Sequence, residues 1–173
     1  SSGCQNALSG RMEVIPSLYN LLTRLKAEGY TVKNLPASAQ ELGVMIQRQG
    51  AVFGTYAEGA MAEFVKHAQP AIVTKDAYEG WVKKALRPDK YNEILASDGE
   101  FPGSYLTTDN GALAVPRIDL GNIVLLPQNA AGKGDNSFKI LHGTEVAPPH
   151  AYVASYLWSQ YGFGADALIH FGT

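Results

Sequence analysis

Four histidines, at positions 67, 142, 150 and 170, are the side chains of this 173-residue chain best suited to proton transfer or metal ligation near neutral pH. Their settings differ. His67 falls near the end of a helical pattern, where a cation favours the helix dipole, and reads as solvated. His142 and Glu145 make an H-x-x-E spacing in "ILHGTEVAPPH". No second helical turn supports a zincin-like site there, so a structural or exposed role is expected. His150 follows Pro148 and Pro149 and opens a helix, where a neutral imidazole is favoured and can accept a proton or bind a metal. His170 stands in "FGADALIHFGT", at the carboxyl end of an expected parallel strand, the edge at which open α/β sheets bind ligands. Gln128 ends the stretch "GNIVLLPQ" in the same way. Their shared edge argues for a site more strongly than any one of them, and it requires the two strands to be parallel.

Two glycine-rich stretches imitate nucleotide motifs and fail. "NAAGKGDNS" lacks the P-loop spacing G-x-x-x-x-G-K-[ST]: Pro127 stands where its first glycine belongs, and Gly134 follows Lys133 in place of Ser or Thr. "GFGADA" (162–167) has the letters of a dinucleotide fingerprint but leaves a helix and enters a strand, the reverse of what the fingerprint needs. Gly162 and Gly164 read instead as a helix stop and turn. Cys4 is the single cysteine, which excludes an internal disulfide framework and any multi-cysteine metal site. Tyr152, Tyr156, Trp158 and Tyr161 are interleaved along one helix. Val153, Tyr156, Leu157 and Tyr161 fit a core stripe, while an aromatic wall for a flat macrocycle is the other reading.

These residues must be positioned by the elements around them. Val14, Leu18, Leu21, Leu22 and Leu25 recur at helical spacing up to Gly29, and "YTVKNL" follows as a short strand ended by Pro36. Ser38 and Glu41 form a capping box for a helix with Leu42, Met45 and Ile46 on its apolar face. Ala57 to Ala68 make a third helix stopped by Pro70. Thr74 caps a fourth with Tyr78, Trp81 and Val82 on one face, and Pro88 opens a fifth. The middle of the chain, 36–95, is thus expected to be a helical insertion with no strand in it. After the turns at Gly99, Pro102, Gly103, Asn110 and Gly111, "ALAV" and "GNIVLLPQ" read as strands. The run Ile123 to Leu126 suggests burial on both faces. A polar loop, a helix over 149–161 and the strand "ADALIHF" complete a βαβ unit. The expected fold is a single α/β domain, with a parallel, Rossmann-like layered sheet and a helical insertion.

The net charge of −2 gives no electrostatic reason to expect nucleic acid or an anionic membrane as a partner. No apolar run is long enough to span a bilayer, and "SSGCQNALSG" lacks the form of a signal peptide. A cytoplasmic location is expected. The first helix has no strand before it, and the last strand stops without its loop. Both are expected of a segment from inside a longer protein.

The blocks "EVIPSLYNLLTRLKAEGY" (13–30), "DGEFPG" (98–103), "GNIVLLPQ" with "GKGD" (121–135), "PPHAYVASYLW" (148–158) and "FGADALIHFGT" (163–173) occur in one order. In these the chain resembles the family of cobaltochelatase large subunits and the porphyrin-binding H subunits of magnesium chelatase. Residues 36–95 match that family only loosely. The resemblance implies a large cytoplasmic subunit that binds a tetrapyrrole and inserts a divalent metal as substrate: cobalt or magnesium, with iron open as well. It implies ATP hydrolysed by partner subunits, an AAA-type ATPase and companion chelatase subunits, and not bound by this chain. In the family the last motif continues past Thr173 to a second His-Gly.

Insertion requires two pyrrole N–H protons to leave as a divalent ion enters. The resemblance therefore puts His150 and His170 at the metal and proton steps. It makes Asp135 an auxiliary acid–base group or ligand. Gln128, Gly132 and Gly134 become substrate-binding positions. The segment alone is expected to show little or no turnover. Alternatives that stay open are a relative that removes metal, a non-catalytic tetrapyrrole- or haem-binding module, and a generic Rossmann-like small-molecule domain.

Overall fold

The computed structural model describes residues 13–50, 60–127 and 147–171. Helices dominate them. α1 (Val14–Ala27) and α2 (Ala39–Gly50) are followed by α3 (Ala60–Ala68), β1 (Ala71–Val73), α4 (Lys75–Ala85) and α5 (Pro88–Asp98). Three short strands come next, β2 (Leu113–Val115), β3 (Ile118–Asp119) and β4 (Val124–Leu125). α6 (His150–Leu157) runs directly into a π-helical turn, Trp158–Gly162.

Local signals set most helix starts. At α2, the Glu41 amide donates to Ser38 Oγ at 3.2 Å, and the Glu41 carboxylate accepts from the Ala37 amide at 3.0 Å. This is a reciprocal cap displaced by one residue from the usual box. At α4, Thr74 Oγ1 accepts from the Ala77 amide. Pro88 occupies the first turn of α5, where its missing N–H costs nothing.

The mixed α/β composition holds, but the sheets differ from expectation. Among the described residues there are two small antiparallel pairs: β1 with β2, in register Ile72 to Ala114, and β3 with β4, in register Ile118 to Leu125. The expected parallel βαβ unit is not formed by these residues. β4 folds back on β3 through Leu120–Ile123, so the apolar run 123–126 is half of a hairpin and only half-buried. Residues 167–171 join no ladder, and Leu168 and Ile169 are exposed (56% and 65%). Apolar composition alone does not make a strand without a neighbouring backbone to pair with. The stretch 36–95 also contains β1, a three-residue strand between Pro70 and the Thr74 cap, too short to show a period. "YTVKNL" contributes a single bridge, Val32 to Gly121.

Two apolar clusters form among the described residues. The larger gathers Val73, Tyr78, Val82, Phe101, Leu106, all of β2, and Ala151, Ala154, Leu157 and Trp158. The smaller joins Leu22 of α1 and Leu42 of α2 to Val32, Ile118 and Leu120. The chain from 113 to 120 passes from one to the other.

Candidate functional site

The buried stripe of α6 is His150, Ala151, Ala154, Leu157 and Trp158, offset from the one expected. Ala151 and Ala154 carry almost no side chain, so α6 packs closely on α4 and β2. Tyr152, Val153, Tyr156 and Tyr161 are left half-buried at the rim.

At the start of α6, His150 is fully buried. Its ring Nε2 lies 2.9 Å from the Gly99 carbonyl oxygen, which can only accept. Nε2 therefore carries a proton, and in the neutral ring Nδ1 accepts from the Tyr78 hydroxyl at 3.0 Å. Burial above all, with Tyr91 and Asp98 nearby, raises the Tyr78 phenol above its ordinary range, so it stays protonated and able to donate. Tyr78, Tyr91 and Phe101 set their rings around the imidazole at 5.4, 6.2 and 6.2 Å, each near edge-to-face. As placed, the ring offers no free nitrogen to a metal or a substrate proton, and it is closed off from solvent.

The backbone amide of His150 donates to Asp98 Oδ2 at 3.0 Å, placing a carboxylate at the N-terminus of α6. The other oxygen of Asp98 accepts from the Ser104 amide and hydroxyl at 3.3 and 3.2 Å. This packing leaves no room at residue 103. A Cβ there would collide with the Asp98 carboxylate, and φ is +77°, so glycine is required twice over. Phe101–Pro102 is a cis peptide. The block "DGEFPG" is thus the seat of α6. The block begins with Asp98, but no local spacing gives that residue its role, because its partner lies 52 residues on.

Further along, α6 presents a second arrangement at the surface. The hydroxyls of Tyr152 and Tyr156 are 3.3 Å apart, and their rings are 5.2 Å apart and tilted by 53°. The exposed ring of His170 lies 6.2 Å from that of Tyr156. Burial first, and then the hydrogen bond to Tyr152, pushes the Tyr156 phenol up to about 12. Of the two candidate histidines, then, the structure buries one and exposes the other, at opposite ends of α6.

Gln128, Gly132, Gly134 and Asp135 lie outside the described residues, as do Cys4, His142 and Glu145. His67 is a surface residue whose Nε2 lies 2.8 Å from Glu63, as a solvated role implies. Among the described residues, no three His, Cys, Asp or Glu side chains gather to hold a metal ion, and no helix is long and apolar enough to cross a membrane.

Comparison with known proteins gives this arrangement its context. The family model "CobN/Magnesium Chelatase" matches residues 2–173, and the chain belongs to that family. The H subunit of magnesium chelatase from Rhodobacter capsulatus is 30% identical over 161 residues, which cover 93% of this chain and 12% of that protein. The CobN subunit of the aerobic cobaltochelatase of Pseudomonas aeruginosa is 27% identical over 156 residues, covering 88% of this chain and 12% of that one. Among solved structures, the catalytic subunit of cobaltochelatase from Mycobacterium tuberculosis superposes with a TM-score of 0.69 at 25% identity. The match covers 92% of this chain and 13% of that one. The chain thus spans about one-eighth of the length of these relatives.

Proposed function

We propose that this chain is part of a chelatase large subunit that binds a tetrapyrrole in the cytoplasm and takes part in inserting a divalent metal, cobalt or magnesium, into it. Insertion would be driven by ATP hydrolysed on an AAA-type partner with companion subunits. Family membership supports the class of reaction. The observation that carries the reading at residue level is the solvent-exposed imidazole of His170 beside the Tyr156 ring.

Two pyrrolic protons leave the ring as the dication enters, so charge balances. A neutral imidazole in reach can accept one of those protons or hold the ion during transfer. His170 has the exposure for either task. His150 would need one of its two ring hydrogen bonds to open before it could join the metal or proton step. In the closed arrangement it anchors α6. Asp135 is proposed as the auxiliary acid–base group, and Gln128, Gly132 and Gly134 as contacts to the substrate's side groups.

The test uses the full-length protein with its partner subunits, ATP, Co²⁺ or Mg²⁺ and a free-base tetrapyrrole, followed by absorbance. His170→Ala is expected to lower metal incorporation about 100-fold or more, the scale of a lost acid–base group. Ring binding without metal incorporation by the unaltered protein would indicate a binding module instead. No spectral change with any porphyrin or corrinoid would sink the tetrapyrrole reading.

A further inference from the structure

The rings on the rim of α6 are not arranged as a stacking floor. Tyr152 and Tyr156 are tilted by 53°, and Tyr156 and His170 by 41°. A flat conjugated ring lying parallel to the Tyr156 ring is therefore parallel to neither of its two neighbours. The hydroxyls of the two tyrosines do converge, at 3.3 Å, one helical turn apart on the same face. One hydroxyl donates to the other, which leaves the pair one further O–H donor and lone pairs that this bond does not use. Both residues are only half-buried, so part of each side chain is open to a ligand. With the Tyr156 phenol pushed up to about 12, it stays a neutral donor at any physiological pH.

We propose that the Tyr152–Tyr156 hydroxyl pair binds a carboxylate on the rim of the macrocycle, fixing which edge of the ring lies toward His170. The proposal rests on the tetrapyrrole reading above and adds to it a specificity-determining pair. A carboxylate is the fitting group because it is acceptor-only and has two oxygens, so it takes the further O–H at its strongest. The proposal also explains why tyrosine serves here: phenylalanine would give the same tilted rings without a donor.

The experiment compares a free-base porphyrin diacid with its dimethyl ester, dispersed under identical conditions, binding to the full-length protein. The wild type is expected to prefer the diacid by about tenfold or more, the scale of a hydrogen bond to a charged acceptor. The double variant Tyr152→Phe/Tyr156→Phe is expected to bring the two affinities within about twofold. Full retention of the preference in the double variant would overturn the assignment, as would equal binding of diacid and ester by the wild type. If the wild type binds neither form, the tetrapyrrole reading falls together with it. Binding of both forms without preference removes only the hydroxyl pair.

Discussion

At Asp98 the two carboxylate oxygens are divided between distant pieces of chain: Oδ2 takes the His150 amide, and Oδ1 takes the Ser104 amide and hydroxyl. The side chain therefore holds the end of α5, the turn after it and the start of α6 in one place. Hydrogen bonds to a charged group contribute about 1.5–3 kcal/mol each in favourable settings, and Asp98 is partly exposed, which lowers that figure. Asp98→Ala is expected to destabilise the chain by about 2 kcal/mol, read as a lower urea midpoint with an unchanged m-value. It strands the His150 amide without its acceptor and removes negative charge from the N-terminus of α6. An unchanged midpoint would show that α6 is seated by its apolar stripe and the His150 ring bonds without help from Asp98.

Among the elements, α6 changes period where Trp158 enters the core. The helix gives way to a π turn, in which the Phe163 amide donates to the Trp158 carbonyl at 2.8 Å. Trp158 itself packs against Phe163 at 5.7 Å, with the Arg117 guanidinium over its ring at 5.3 Å. A Cβ on residue 162 would stand 2.5 Å from Trp158 Cδ1, on an indole already packed against Phe163 and Arg117. Gly162→Ala is therefore expected to cost about 1–3 kcal/mol through overpacking, with a shift in Trp emission at matched folding.

How much of this is legible in the sequence follows from the range of each signal. The Ser38–Glu41 and Thr74 caps and Pro88 can be read because cap and helix are within four residues of each other. The seat of His150 cannot, since Gly99, Asp98 and Tyr78 lie 51, 52 and 72 residues away. The β3–β4 hairpin escapes the expectation of a buried parallel strand because the continuous apolar run outweighs the Gly121–Asn122 turn before it. Tyr156 fits a core stripe by spacing, yet the alanines at 151 and 154 turn the helix to bury a different face.

At the scale of the whole molecule, the question is whether the two apolar clusters of the described residues fold as one. The chain from Leu113 to Leu120 supplies buried residues to both, with Pro116 buried between them. Arg117, at the junction, donates to the Gln69 carbonyl at 3.5 Å while its guanidinium covers Trp158 in the larger cluster. A rigid extended link of this kind leaves little freedom for one cluster to open while the other stays closed. The two tryptophans, Trp81 and Trp158, both belong to the larger cluster, so their fluorescence reports on it alone. Leu42 is fully buried in the smaller one, and Leu42→Ala is expected to cost about 2–5 kcal/mol. If the link holds, the tryptophan transition in urea moves to lower concentration by the same amount as the far-ultraviolet circular dichroism transition, although both tryptophans belong to the other cluster. Were the fluorescence midpoint to stay in place while the dichroism curve broadened or split, the clusters would be independent units. The helical support of α1 and α2 would then have no part in holding the face of α6 that carries Tyr152 and Tyr156.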